Sequence, residues 1–295
     1  MPITRASCPL RPTAGFWHHC RQRLLVIGLV LLAFSTASAQ TRTSSATKKN
    51  NRSMSNSKPT YVLVHGAFAG KYAWQLVQPR LEKAGCKVVT FDLPGHGDDA
   101  TPAAQATFES YVKAVVDRVN AEPGKVVLVG HSMGGMVISQ VAEQIPDKLE
   151  KLVYLSAYLP QTGQSLQQIS GTDSGSLIGP NLQLAADYST ASLPADVAVQ
   201  VFAGDCPEEI KQLVRARNQA EPLAPFQAKV TLTPANFGRV PKYYIESLHD
   251  QGVSTALQQK MVAATPVAKV YTLASGHSPY FAKPAELVVI LKELP

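Results

Sequence analysis

The sequence has few cysteines, no long apolar run and no cluster of metal-binding residues. Its four cysteines include no C-x-x-C pair, and the five histidines that follow residue 39 are scattered. We therefore expect no metal site and no cofactor. No run reaches the roughly 20 apolar residues that a membrane-spanning helix needs. What is present, 45% hydrophobic and 17% charged residues, is typical of a globular protein with a sizeable core.

A short apolar segment near the N-terminus predicts a secretory signal peptide. Arg21 and Arg23 precede an eleven-residue run, 24–34, and Ala37 and Ala39 then form an A-x-A cleavage signal. The run is too short to span a bilayer, which disfavours a retained membrane anchor and stable membrane insertion. We expect the signal peptide to cover residues 1–39 and the protein to be periplasmic or secreted.

The mature chain would then begin at Gln40, with a flexible polar leader over 40–58 and a single domain over 59–295. Residues 1–39 hold four arginines and no acids, so their removal lowers the formal charge from +7 to +3. This modest excess gives no support to nucleic-acid binding. Cys86 and Cys206 remain and could pair in an oxidising compartment, although we favour two buried free thiols.

Strand and helix patterns alternate along the domain. Short β-branched runs such as "TYVLVHG" and "KVVLVG" are separated by helical patterns such as 108–119, where apolar residues recur at i, i+3, i+4 and i+7. Strands that are apolar on both faces and joined by helices predict an α/β fold, with a mostly parallel sheet and helices on both faces. The alternation stops at about 160–225, where we expect an inserted lid with one helix and no clear strand.

Ser132 lies in "GHSMG", between a predicted strand and a predicted helix. This is the context of a G-x-S-x-G nucleophile elbow, in which the serine is exposed on a tight turn. The alternative is a small residue at an ordinary strand-to-helix turn. The elbow predicts a nucleophile if the chain also supplies a base, an acid and oxyanion donors.

His277 is the candidate base. It follows the last predicted strand and precedes the last helix, so it lies on a loop at the carboxyl edge of the sheet. A surface-loop histidine is the alternative. We expect His131 to pack locally beside the serine, and His249 to be structural.

Asp250 is the candidate acid, because it ends the strand in "YYIESLHDQG" before His277. It would hold the imidazole in the correct tautomer and stabilise the imidazolium. A solvated turn aspartate is the alternative. Glu246 lies inside the strand, and Asp187 and Asp205 lie in the lid.

Backbone amides are the candidate oxyanion donors. We assign Met133, which follows the nucleophile, and Ala67, in the loop "VHGAFAGKYAW", with Phe68 as the weaker alternative. The aromatic residues Phe68, Tyr280 and Phe281, together with apolar lid segments, suggest an apolar substrate pocket.

Together these residues resemble the α/β-hydrolase superfamily, in the branch of plant methylesterases, bacterial aryl and alkyl esterases and hydroxynitrile lyases. The resemblance runs through "YVLVHGAFAGKYAW", "VVLVGHSMGGMVISQ" and "SGHSPYFAKPAEL", and it is weak in the lid. It places Ser132, Asp250 and His277 in the triad. It also implies that "DLPGHGDD" is the common turn after the second strand, with His96 at a turn and pocket rim.

One departure from the lyases is informative. The lyases of this branch carry a threonine where this chain has Gly66, and a lysine where it has Ser278. Without that hydroxyl and that ammonium, cyanohydrin cleavage is disfavoured.

We therefore expect a serine esterase that acts on small apolar or aromatic esters through an acyl-enzyme. The alternatives are a hydroxynitrile lyase-like enzyme and a non-catalytic ligand-binding receptor on the same fold. Lipase, lactonase, amidase and C–C hydrolase activities remain open, because the same triad serves each. The expected partner is a small-molecule ester.

Overall fold

The computed structural model of the protein describes residues 58–295. The predicted signal peptide lies outside these residues, and so does the predicted leader apart from Lys58. None of the helices described is long and apolar enough to span a membrane.

The first part of the domain alternates strands and helices. In chain order these elements are β1 (Thr60–Val64), α1 (Gln78–Lys83), β2 (Lys87–Thr90), α2 (Phe108–Asn120), β3 (Val126–His131), α3 (Gly134–Gln144) and β4 (Leu149–Leu155). Helix α2 illustrates why they form. Thr107 caps it in a reciprocal capping box with Ser110, and the apolar stripe seen in the sequence is its buried face.

A cap follows β4, and we use this name for residues 156–241. Its elements are α4 (Leu166–Ser170), α5 (Ile178–Asn181), β5 (Gln183–Leu184), β6 (Thr190–Ser192), α6 (Ala195–Ala203), α7 (Glu208–Arg217), β7 (Glu221–Pro222) and α8 (Ala224–Gln227). The three strands form a small antiparallel sheet. The sequence predicts only α7 here, because strands of two or three residues are too short to show an alternating pattern.

The chain then returns to the main sheet with β8 (Lys242–Ser247), α9 (Thr255–Ala264), β9 (Lys269–Leu273), α10 (Pro279–Ala282) and α11 (Pro284–Glu293). Six strands lie in the order β2-β1-β3-β4-β8-β9, and every neighbouring pair is parallel. The predicted α/β fold is confirmed.

Both faces of the sheet are covered. Along β1, Val62 and Val64 pack on the face that carries α2, α3 and α9, whereas Tyr61 and Leu63 pack on the face that carries α1 and α11. Since all six strands run the same way, the loops after β1, β3, β8 and β9 gather at one edge. These loops contain every residue that the sequence singles out for catalysis.

Candidate active site

Ser132 occupies a strained turn between β3 and α3. Its φ is +52°, in the left-handed region that non-glycine residues rarely adopt. The Ser132 amide donates to the Leu155 carbonyl at 3.3 Å, and its carbonyl accepts from Tyr158 at 3.1 Å. A Cβ on Gly134 would lie 2.9 Å from the Val64 and His65 carbonyl oxygens, so the turn can pack this close to β1 only with glycine there.

Asp250 and His277 meet in the interior. Imidazole Nδ1 lies 2.9 Å from both carboxylate oxygens, and neither side chain is exposed to solvent. A carboxylate can only accept a hydrogen bond, so Nδ1 carries the proton and Nε2 is the free acceptor. Within residues 58–295, Nε2 is buried without a partner. This is the tautomer that a general base requires.

The Asp250 carboxylate is itself held by neighbouring groups. It accepts from the amides of Gly252 at 2.7 Å and Val253 at 2.9 Å, and from Gln258 Nε2 at 3.0 Å. Gln258, buried on α9, also donates to the Val253 carbonyl at 2.7 Å. Sequence reasoning missed Gln258, because a glutamine on a helix gives no sign of whether it faces the core.

His131 supports the loop that carries His277. Its Nε2 lies 2.8 Å from the His277 carbonyl oxygen, and their ring centroids are 4.6 Å apart. Burial, together with the nearby His277, holds the pKa of His131 well below its usual range. His131 is therefore neutral and donates from Nε2. This agrees with the expected local packing role.

Ser132 Oγ and His277 Nε2 do not form a hydrogen bond in this structure. The proton transfer expected of this pair needs one. Such bonds are often long or absent in free enzymes and tighten in the substrate complex.

Two backbone amides are free at the elbow and in the loop after β1. Neither the Ala67 amide nor the Met133 amide donates a hydrogen bond to any group in the described chain. Both residues line the same cavity as Ser132. By contrast, the Phe68 amide donates to Glu221 Oε2 at 2.6 Å. Phe68 therefore has no free amide for an oxyanion.

The cavity at Ser132 measures about 250 Å³ and lies between the sheet edge and the cap. Its walls are largely apolar and include Phe68, Met133, Leu166, Leu182, Leu223 and Phe226. Asp173 is the sole charged side chain among the described residues that line it. An uncharged apolar ligand matches these walls.

Two residues predicted for the pocket lie elsewhere. Tyr280 and Phe281 do not line this cavity, although Phe68 does. They form the one-turn helix α10, where Tyr280 packs against Trp74 and His131 with ring centroids 5.3 and 4.8 Å away. Both are buried, because α10 turns its aromatic side chains into the core beneath the His277 loop.

Three carboxylates of the cap each accept a hydrogen bond from a backbone amide, and each amide belongs to a different active-site loop. Glu221 accepts from Phe68, Asp205 accepts from Gly276 at 2.7 Å, and Asp173 accepts from Ser254 at 2.8 Å. Asp205, which the sequence places in the lid, thus binds the backbone beside His277. Asp187 binds Ser189 at the surface.

None of the histidines in residues 58–295 lines the cavity at Ser132, His277 included. His65 is buried, and burial followed by the nearby His96 lowers its pKa to about 3. His96 was expected at the pocket rim, but it is buried against Glu221. His249 is exposed.

Cys86 and Cys206 are both buried and free. Within residues 58–295, no group of three or more His, Cys, Asp or Glu side chains is arranged to hold a metal ion.

Comparison with known proteins identifies the family. Residues 61–290 match the family model described as the alpha/beta hydrolase family. Esterase PIR7B of Oryza sativa subsp. japonica is 31% identical, over 80% of this chain and 96% of its own length.

A chloroplastic protein of Arabidopsis thaliana, provisionally named methylesterase 11, is 32% identical to this chain. The match covers 79% of this chain, which spans 63% of that longer relative. Among solved structures, a pyrethroid hydrolase from Sphingobium faniae JZ-2 superposes with a TM-score of 0.70 at 27% identity. That alignment covers 79% of this chain and 95% of the hydrolase.

Proposed function

The chain belongs to the alpha/beta hydrolase family, in its methylesterase branch, and we propose that it hydrolyses uncharged, apolar or aromatic carboxylic esters with Ser132 as the nucleophile. The esterases and hydrolases among its relatives support a carboxylic ester hydrolase. The observation that carries the proposal is the His277 ring, fixed by Asp250 with a free Nε2.

The reaction takes place in two halves. His277 Nε2 removes the proton from Ser132 Oγ as the oxygen attacks the ester carbonyl carbon. The carbonyl oxygen becomes an oxyanion, which accepts hydrogen bonds from the Ala67 and Met133 amides. The tetrahedral intermediate then collapses, the bond to the alcohol oxygen breaks, and His277 returns the proton to the leaving alcohol.

Water completes the cycle. His277 Nε2 takes a proton from a water molecule, whose oxygen attacks the acyl carbon, and Ser132 leaves with the proton from His277. The products are one carboxylic acid and one alcohol. Asp250 accepts the hydrogen bond from His277 Nδ1 and stabilises the imidazolium.

The cavity supports the proposed substrate class. Its walls are largely apolar, and its size of about 250 Å³ accommodates a small ester. Asp173 would repel a negatively charged ester. One of the structural relatives is named a pyrethroid hydrolase.

The test uses mature protein with a panel of p-nitrophenyl acyl esters and of aryl and benzyl methyl esters. We expect many turnovers per enzyme, with apolar esters preferred. A fluorophosphonate should add one mass label, on the peptide that contains Ser132, and Ser132→Ala should abolish both label and turnover. Full activity in Ser132→Ala would refute the mechanism. Hydrolysis that stops after a single turnover would favour a receptor.

We also propose export for this protein. Arg21, Arg23, the apolar run 24–34 and the A-x-A site support a cleaved signal peptide. The names of the chloroplastic relatives give a different cellular location. The location of this protein therefore needs an experiment of its own.

A further inference from the structure

Glu221 is a buried acid in the cap that the proposed reaction does not use. Its side chain is fully buried, and its neighbours come from two separate loops of the core. Its Oε2 accepts from the Phe68 amide at 2.6 Å, and both carboxylate oxygens lie within 3.0 Å of His96 Nε2. A buried ion pair is weak evidence for stability, since apolar residues of similar size often stabilise as well. Glu221 contacts the loop after β1, which carries the Ala67 amide and is called the oxyanion loop below. This position therefore suggests a role in catalysis rather than in stability.

Phe68 needs such a partner. Its φ is +57°, a strained conformation for an aromatic residue, which persists only when surrounding contacts enforce it. Its ring packs against Phe202 with centroids 6.0 Å apart, and its amide is fixed by Glu221. The Ala67 carbonyl and the Phe68 amide belong to one planar peptide unit. Because Glu221 fixes the Phe68 amide, it also fixes the orientation of the Ala67 carbonyl.

His96 completes the arrangement. Its Nε2 faces Glu221, and its Nδ1 lies 3.2 Å from the Pro94 carbonyl oxygen. Both partners are acceptors, so an imidazolium with two N–H donors satisfies both. Burial alone would lower the pKa of His96, but the charge and hydrogen bond of Glu221 outweigh burial and raise it.

On the basis of the proposed function, we infer that Glu221 is a positioning residue of the oxyanion hole. It holds the Phe68 peptide in its strained turn so that the Ala67 amide stays free and directed at the developing oxyanion. The cap thereby takes part in transition-state stabilisation without touching the substrate.

The experiment compares Glu221→Ala and Glu221→Gln with wild type on a neutral p-nitrophenyl ester. Losing an oxyanion donor costs about 10²–10³ in turnover, so displacing one should lower kcat about 10- to 100-fold in Glu221→Ala, with KM within about twofold. Glu221→Gln should stay within about fivefold of wild type, because its amide oxygen can still accept from Phe68. Each rate is divided by the active-site concentration from fluorophosphonate titration.

Glu143→Ala is the matched control. Glu143, on α3, also accepts backbone amides, from Thr233 at 2.7 Å and Phe237 at 3.2 Å, but it does not contact the oxyanion loop. We expect this variant to unfold at a lower temperature and to keep the wild-type kcat per active site.

A second measurement separates positioning from structural support. A trifluoromethyl ketone forms a tetrahedral oxyanion on the serine, so its affinity should fall in parallel with kcat in Glu221→Ala. The affinity of the product alcohol should stay within about twofold. A merely structural role would lower the fraction of the enzyme that fluorophosphonate titrates. It would leave kcat per titrated site and the ketone affinity at their wild-type values.

The possible outcomes test the role of Glu221 and the proposed function separately. Wild-type kcat per titrated site in Glu221→Ala, or a loss of kcat without a loss of ketone affinity, overturns the inference alone. If Glu221→Ala does not fold, Glu221→Met, which keeps a side chain of similar size but removes the acceptor for the Phe68 amide, must show the same fall in kcat and ketone affinity. Absence of ester hydrolysis or of the Ser132 label in wild type would instead refute the proposed function.

Discussion

His277 Nδ1 lies equally close, at 2.9 Å, to both carboxylate oxygens of Asp250. The carboxylate is fixed in turn by two backbone amides and Gln258, so the ring has one orientation and one tautomer. Asp250 lies beside His277 because Asp250 follows β8, His277 follows β9, and these two strands are neighbours in the sheet.

Replacing Asp250 by asparagine should therefore lower turnover on the order of 10⁴-fold, because the amide favours the wrong tautomer of His277. The fold should persist, since the asparagine oxygen can still accept from Gly252. Steady-state rates and thermal unfolding measure the two effects. Asp205→Asn is the control and should retain most activity. The opposite pattern, an active Asp250→Asn and an inactive Asp205→Asn, would move the acid into the cap.

Gly66 provides a test against lyase chemistry. A Cβ at Gly66 would lie 2.8 Å from Ser132 Cβ and from His131 Nδ1, so Gly66→Thr should displace the nucleophile and lower esterase turnover at least about tenfold. Gly124→Thr, where a Cβ meets no atom within 4 Å, should be active. Wild type should release no cyanide from mandelonitrile. Cyanide release without ester hydrolysis would place the enzyme among the lyases.

Charge at the mouth of the cavity should change substrate preference. Leu184 lines the cavity and is 53% exposed, so a lysine there can remain solvated. Leu184→Lys should raise kcat/KM for a carboxylate-bearing ester about fivefold relative to its neutral analogue, as expected for an exposed ion pair of ~1 kcal/mol. Val289→Lys, equally exposed on α11, should leave the ratio unchanged. Equal changes in both variants would argue against this cavity as the substrate site.

The pair of His96 and Glu221 predicts a pH-dependent stability. The folded pKa of His96 is raised above the unfolded value of about 6.5, so its contribution is complete below about pH 6.5. That contribution is lost as pH rises through the folded pKa. Urea unfolding of wild type and His96→Gln should therefore differ by about 2 kcal/mol at pH 5.5–6, and by less at pH 9. A gap that widens with pH would contradict this assignment of charge.

The expected export can be tested by mass. We expect the protein recovered from the periplasm or medium to begin at Gln40, with residues 1–39 removed. Intact-mass spectrometry of material expressed from the full sequence measures this directly. Retention of the run 24–34 would favour an anchored protein instead.

Much of the fold followed from periodicity, because the main strands and helices are long enough to show it. The order of strands places Ser132, Asp250 and His277 at one sheet edge, and the structure brings the last two into contact. Glu221 could not be found in this way. It lies in a two-residue strand without periodicity, and its partner Phe68 is 153 residues away.

The error over Tyr280 and Phe281 has a different origin. Aromatic residues beside a catalytic loop suggest a pocket, but sequence does not show which way a one-turn helix faces. In the structure Pro279 begins α10, and its aromatic residues fill the core. Composition predicts that such residues are buried, and only the path of the chain decides what they are buried against.

The three hydrogen bonds that backbone amides of the core donate to cap carboxylates bear on how such enzymes diversify. A cap that only covered the cavity could be exchanged between relatives to transfer a substrate preference. Here a transplanted cap that lacked acids equivalent to Asp173, Asp205 and Glu221 would leave the three loops beneath it unsupported. Chimeras in this branch should therefore inherit selectivity without losing rate only when these three anchoring positions move with the graft.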